Sequence, residues 1–473
     1  MSTDPSASRR PLSAPRPALT SDSASEPASG PHADPGRTGG SARAGASGEV
    51  PAPSPALVRR ATVGASIGSV VEWFDVALYG YLAVVIGEVF FDSADPTAAL
   101  LSSFAVFASA FLVRPLGGIF FGAMGDRIGR QKVLAAVILT ASGATFLIGL
   151  LPGYDSIGLF APVLLVLLRL VQGFSAGGEM GGASAFVAEY APRQRRGYLV
   201  SFVEMGCILG FLLGAATVLV MNTVLTEAQM HDWGWRIPFL VAGPLGVVGL
   251  YIRARLEETP EFAALRASGR VRRNPLKETL VRHWRAVLVV AGFALFQNVA
   301  IYVILTYVPT HLSVTLGFSS LLGSVSAVLM MVVLCALIPV TGRLSDRVGR
   351  RPVLLASCVS SAALGVPLFL GMGAGGAVLA VVCHVLLGVL LSLFLGPVLA
   401  AANELFSTDV RYGGFSLGYN VSVSLFGGTA PFVVTLLVAE TGFAAAPGLY
   451  LAAAAVITGI VVLMVRETAP LRA

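Results

Sequence analysis

The chain has 473 residues, of which 55% are hydrophobic and 12% charged, with a mean hydropathy of +0.79. A soluble domain carries roughly 25% charged residues to wet its surface, so a string of soluble domains is excluded. The net charge of +6 sits in short basic clusters between long apolar runs, which suits a protein in a lipid bilayer with basic loops on one side and not a nucleic-acid binder.

Residues 1–60 are Ser, Ala, Pro and Gly with scattered single charges and no apolar run. Such a composition cannot offset the entropy of ordering, and it reads as a disordered cytoplasmic leader. Arg9 and Arg10 resemble a twin-arginine start, but the next apolar stretch lies about fifty residues on, so no signal peptide is expected.

Twelve apolar segments follow, near 62–90, 97–121, 131–151, 158–188, 197–223, 236–252, 286–308, 319–341, 352–372, 376–402, 413–438 and 445–465. Each is long enough to cross about 30 Å of hydrocarbon as a helix. The fold class expected is an all-α membrane protein: a six-helix bundle over 61–252, a basic cytoplasmic linker over 253–285, a second bundle over 286–465 and a short cytoplasmic tail over 466–473. Alternate connections hold Arg127, Arg130 and Lys132, then Arg193, Arg195 and Arg196, the linker, Arg343, Arg347, Arg350 and Arg351, and Arg411. The remaining connections are nearly free of Lys and Arg, which places both termini in the cytoplasm. Cys207, Cys335, Cys358 and Cys383 lie in apolar stretches without ligand spacing and read as reduced packing residues.

Charge inside hydrocarbon costs roughly 2.5 to 3.5 kcal/mol per residue, so each such group needs a partner or a task. Glu72 and Asp75 share one face of the first span, an arrangement that favours holding a proton near neutral pH. The alternative for Glu72 is a structural pair with an arginine. Arg169, in the fourth span with Gln172 one turn on, can fork to a substrate carboxylate or to Glu72 or Asp75 when the site is empty. Its alternative is a permanent ion pair. Arg114 sits near the inner end of the second span, from which it can snorkel to the cytoplasm. Glu179 and Glu204 could relay a proton inward or bond the basic loops, and Glu189, at the membrane edge, suits the second task. Gln297, Asn298, Tyr302 and Tyr307, with Tyr419 and Asn420 in the eleventh span, offer neutral donors to a solute or to neighbouring helices.

Gly122-Ala-Met-Gly-Asp126-Arg127-Ile-Gly129-Arg130 recurs as Gly342-Arg-Leu-Ser-Asp346-Arg347-Val-Gly349-Arg350. Glu189 precedes Arg196 just as Glu404 precedes Arg411. Two similar halves with a site between them near the midplane are implied. Asp126, Arg127, Arg130, Asp346, Arg347 and Arg350, with Glu189 and Glu404, are assigned to gating. Gly173-Phe-Ser175-Ala-Gly177 matches a nucleophile elbow but lies inside a helix, where Gly173, Gly177 and Gly181 read as a packing face. His384, alone in the tenth span, reads as a hydrogen-bonded core residue, with a proton relay the lesser alternative. No nucleotide motif occurs, so no cofactor, metal or enzymatic activity is expected, and no obligate protein partner is evident.

The repeated Gly-x-x-x-Asp-Arg-x-Gly-Arg loop resembles the signature of the major facilitator superfamily. Glu72-Trp-Phe-Asp75 with Tyr79-Gly80, Arg114-Pro-Leu-Gly-Gly, Arg169-Leu-Val-Gln172-Gly-Phe-Ser-Ala-Gly-Gly-Glu179, Trp233-Gly-Trp-Arg236-Ile-Pro-Phe, and Tyr419-Asn420 through Gly427-Gly-Thr-Ala-Pro431 are similar to its metabolite:proton symporter branch. That branch includes proline/betaine, shikimate, citrate and 2-oxoglutarate carriers. The resemblance implies two six-helix bundles in the cell membrane and proton-coupled import of a small polar solute bearing a carboxylate. The osmosensing members of the branch carry a C-terminal coiled coil that is not matched after Arg466, so osmosensing through such a tail is not expected. Span five lacks the Gly-Pro motif of drug exporters, which favours uptake over export. A receptor that binds a metabolite without moving it is the competing reading.

Overall fold

A computed structural model describes residues 54–92, 96–254, 257–269 and 275–470. Residues 1–53 of the expected leader, parts of the linker and the last three residues lie outside the described residues. No strand occurs among the described residues, and the chain is built of helices. They are α1 (Pro55–Tyr81), α2 (Pro96–Ile128), α3 (Arg130–Leu150), α4 (Phe160–Tyr190), α5 (Arg196–Val224) and α6 (Arg236–Ala254). The second set is α7 (Trp284–Thr315), α8 (Ser320–Val348), α9 (Arg350–Ala374), α10 (Ala377–Glu404), α11 (Arg411–Thr441) and α12 (Ala446–Met464). Among the described residues, eleven helices are long and apolar enough to cross a membrane, and a twelfth span arises if Glu227–Gly234 and Arg236–Tyr251, bent by 42°, are one.

Packing repeats between the halves. α1 lies on α5, α2 on α4 and α3 on α6; correspondingly α7 lies on α11, α8 on α10 and α9 on α12. The halves meet where α2 packs on α11 and α5 on α8. Glycines permit the closest approaches: a Cβ on Gly173 or Gly177 would stand 2.0 or 2.2 Å from backbone carbonyl oxygens of α2, and one on Gly181 would meet the Ser416 hydroxyl at 2.0 Å. The Gly173, Gly177 and Gly181 stripe is thus buried against α2 and α11, as small residues at membrane helix interfaces generally are.

The sequence pattern places helix ends too far inward at several points. α1 begins at Pro55, because Ser54 caps it by accepting from the Leu57 N–H and Pro55 fits the first turn, and it breaks at Leu82 before a second helix, Ala83–Phe90. α2 and α8 continue beyond their apolar stretches to Ile128 and Val348. The repeated signature is therefore the last turns of one helix joined to the next through Gly129 or Gly349, with φ of 108° and 109°, a conformation that only glycine adopts without strain. Cys207, Cys335, Cys358 and Cys383 are all free thiols. His384 is buried between Ser326 Oγ at 2.6 Å and the Ile304 carbonyl at 2.9 Å.

Candidate functional site

Four charged groups line one small cavity inside the first half: Glu72 and Asp75 from α1, Arg114 from α2 and Arg169 from α4. All four are buried. Arg114 is 3% exposed and does not snorkel. Because α2 runs on to Ile128, Arg114 stands roughly 21 Å from that helix end at 1.5 Å per residue. Its guanidinium lies 3.9 Å from the Glu72 carboxylate and packs over Phe111 at 4.8 Å and Trp73 at 5.5 Å, a setting that stabilises a desolvated cation.

Arg169 does not fork to Glu72 or Asp75. It donates to Gln172 Oε1 at 2.9 Å and lies over the Tyr79 ring at 4.0 Å. Gln172 Nε2 donates to the Thr145 hydroxyl at 2.5 Å, and that hydroxyl lies 2.6 Å from Asp75 Oδ2. Arginine and carboxylate are thus joined through two neutral side chains. Asp75 Oδ1 has no hydrogen-bond partner among the described residues. A second, smaller cavity shares Glu72 and Asp75 with the first and is also lined by Glu179.

The neutral candidates of the second half divide. Asn420 donates to the carbonyls of Gly177 and Ser416, both at 2.7 Å, so its two N–H groups join helices. Gln297 donates to Glu204 at 2.9 Å across the two halves, which occupies one oxygen of the proposed relay carboxylate. Asn298 donates to the Ala294 carbonyl, while its own oxygen has no partner among the described residues. The buried hydroxyls of Tyr302 and Tyr419 have no partner among the described residues. Tyr302 packs edge-on against Phe111, with ring centroids 5.9 Å apart, and so abuts the cavity wall from the other half.

The gating candidates gather at the end of the bundle that carries the basic connections. Asp126 accepts from the backbone N–H groups of Tyr412 and Gly413 at the start of α11, and Asp346 accepts from those of Gly197 and Tyr198 at the start of α5. Arg130 pairs with Asp126 and Glu189, both at 3.2 Å; Arg350 pairs with Asp346 at 2.7 Å and Glu404 at 3.4 Å. Arg127 and Arg347 are exposed. One residue beyond the aspartate, each is turned by about 100° from the face that Asp126 and Arg130, or Asp346 and Arg350, share.

Several participants were missed in the sequence. Glu258 accepts from the Arg130 N–H at 3.1 Å, and Glu467 accepts from the Arg350 N–H at 2.8 Å. Thr259 donates to Glu189 at 2.5 Å, and Thr468 donates to Glu404 at 2.6 Å. The recurrence of Glu-Thr after the sixth and twelfth spans, with proline next in the first and one residue further on in the second, was the available signal. Glu261, on the linker helix Pro260–Ala267, breaks the symmetry by pairing with Arg411 at 2.7 Å and Arg196 at 3.4 Å and accepting from Thr408 at 2.7 Å. Burial pushes the Glu261 carboxyl up, but Arg411, its hydrogen bonds and Arg196 outweigh this and leave it below its ordinary value. Burial dominates at Glu258 and raises it.

Comparison with known proteins agrees with this architecture. The family model described as "Major Facilitator Superfamily" matches residues 65–430. The "Proline/betaine transporter" of Escherichia coli (strain K12) is 41% identical over 421 residues, covering 87% of this chain and 84% of that protein. The "Ectoine/proline transporter ProP" of Corynebacterium glutamicum is 39% identical over 430 residues, 88% of this chain and 85% of that one. Among solved structures, the proton:xylose symporter XylE of E. coli superposes with a TM-score of 0.72 at 18% identity, over 87% of this chain and 97% of that one. With two pseudo-symmetric helical halves, a buried charged cavity and this match over most of its length, the chain belongs to the Major Facilitator Superfamily of membrane transporters.

Proposed function

We propose that the protein imports a small zwitterion of the proline and betaine type together with protons, by alternating access, with both termini in the cytoplasm. The observation that carries this reading is the charge balance of the cavity, where Glu72 and Asp75 face Arg114 and Arg169. A zwitterion adds no net charge to such a site beyond that of the co-transported proton, whereas a dicarboxylate would leave a net negative charge in low dielectric unless both Glu72 and Asp75 were protonated. Relatives named for proline, betaine and ectoine transport point to the same class. A carboxylate of the solute would take the guanidinium of Arg169 or Arg114, and the proton would reside on Asp75 or Glu72. Tyr302, Tyr419 and Asn298 would complete the site as the second half closes on it.

The ion pairs of Arg130, Arg350 and Arg411 would shut the cytoplasmic end while the solute enters from the other side. Their release would open that end. The full chain reconstituted into vesicles holding a pH-sensitive dye tests the reading, with an inward proton gradient and radiolabelled proline, glycine betaine, shikimate or 2-oxoglutarate outside. Uphill accumulation of a zwitterion with lumenal acidification is the expected result. Binding without accumulation would establish a receptor, and preference for a dicarboxylate would overturn the charge argument.

A further inference from the structure

The geometry points to Thr145 as the residue through which the protonation state of Asp75 is communicated to Arg169, resting on the symport reading above. Thr145 is fully buried on α3. Its hydroxyl has two acceptors within reach, Asp75 Oδ2 at 2.6 Å and the Ala141 carbonyl at 3.0 Å, and it accepts from Gln172 at 2.5 Å. A hydroxyl carries one proton and two lone pairs, so it can satisfy only one of those acceptors at a time.

With Asp75 ionised, the hydroxyl donates to the carboxylate. Every N–H and O–H along Arg169, Gln172, Thr145 and Asp75 then points towards the anion, and such aligned chains reinforce one another. A proton placed on Oδ2 reverses the last link. Two protons cannot both lie between oxygens 2.6 Å apart, so the Thr145 hydroxyl turns to Ala141 and Asp75 donates to it. Oγ1 then accepts from both Gln172 and Asp75, its full capacity. The anion at the end of the chain is gone, the polarisation that holds Arg169 on Gln172 weakens, and the guanidinium becomes available to a solute carboxylate. Proton arrival thereby precedes tight solute binding.

The charged and titratable groups around Asp75 do not offer the same route. Glu72 lies on the same helix, beside Arg114 of α2. Tyr79 of α1 is covered by Arg169, Glu179 of α4 lines the second cavity, and Glu204 of α5 is engaged by Gln297. From α6, which also packs on α1, Arg236 bonds the Gly149 and Leu151 carbonyls at the end of α3.

The test uses the reconstituted full chain and compares wild type, Thr145→Val, Thr145→Ser, Asp75→Asn and the double variant Asp75→Asn/Thr145→Val. Paired measurement of labelled proline and dye-reported protons gives the proton-to-solute ratio, and equilibrium exchange is followed across pH. Thr145→Val should at least halve the ratio, lower uphill accumulation about tenfold and flatten the pH dependence of exchange, with exchange itself still measurable. Thr145→Ser should restore the ratio and the pH profile. In the double variant, the valine should add nothing to Asp75→Asn, as expected for residues acting in one chain. If Thr145→Val does not fold, Thr145→Cys, which keeps the size but donates weakly, is read by the same criteria. A wild-type ratio and pH profile in Thr145→Val or its cysteine substitute, failure of Thr145→Ser to restore them, or additive effects in the double variant would overturn the inference while leaving symport intact. If the wild type moves no protons with solute, the symport reading and this inference fall together.

Discussion

Glu261→Gln removes one charge from the proposed gate while keeping the size of the side chain. In the structure that carboxylate joins Arg411 of the second half to Arg196 of the first, from a side chain 33% exposed. Hydrogen bonds between charged groups contribute about 1.5 to 3 kcal/mol when buried; with partial solvent screening, a loss of roughly 1 to 2 kcal/mol follows. That corresponds to a shift of about 5- to 30-fold in the ratio of closed to open gate, since about 1.4 kcal/mol is tenfold. Spin labels at exposed positions 127 and 347, in a background without the four native cysteines, report the opening as a distance distribution. The pH dependence has a defined sign. Because the closed gate holds Glu261 below its ordinary value, its contribution is complete above the ordinary carboxylate range and is lost as pH falls through the depressed value. Acidification should therefore open the wild-type gate further than it opens Glu261→Gln. An unchanged distance distribution in the variant, or an identical acid response, would refute the assignment of Glu261 as the tie between halves.

Asp75→Asn and Glu72→Gln are expected to abolish uphill accumulation in vesicles while exchange between equal pools stays measurable, because a neutral amide imitates the protonated carrier; normal accumulation would make both carboxylates structural partners only. Arg169→Lys keeps the charge but loses the planar fork, and proline affinity measured by calorimetry should fall roughly 10- to 100-fold, the equivalent of about 1.5 to 3 kcal/mol. Gly129→Ala should lower the melting temperature of the purified protein, since a side chain at φ 108° is strained and its Cβ would stand 1.9 Å from Glu258 Oε2; a melting temperature equal to wild type would contradict that crowding.

The spans and the two-fold repeat were legible because a helix in lipid must be apolar nearly throughout, and because the second Asp-Arg signature restates the first. Glu72, Asp75 and Arg169 stood out for the complementary reason that charge is rare in such helices. Arg114 was misjudged because hydropathy ends the second span near residue 121, whereas the helix itself runs seven residues further, carrying its start of the basic signature out of the core and leaving Arg114 deep inside. Thr145 gave no signal: a threonine in an apolar span ordinarily bonds the carbonyl four residues back, as Thr140 does, and nothing in the local sequence marks the one that also meets a carboxylate. Asn420 showed the opposite limit, since its type suits a binding site and only packing reveals that its two N–H groups are spent on the Gly177 and Ser416 carbonyls. Glu261 lay in a stretch read as a merely basic linker.

The two aspartates of the repeat carry a consequence for how the halves depend on one another. Asp126 belongs to the first half but satisfies first-turn N–H groups of α11 that have no partner within their helix, and Asp346 belongs to the second but does the same for α5. Each half therefore lends the other the carboxylate that a helix beginning normally draws from its own neighbouring sequence. A half made alone would start one of its helices with raw donors, and in the whole protein the loan is called in whenever the end carrying the basic connections parts. Both helices lose their borrowed carboxylates in the same movement, which makes intermediate openings costly and favours a gate that is either shut on both sides of the pseudo-symmetry axis or open on both.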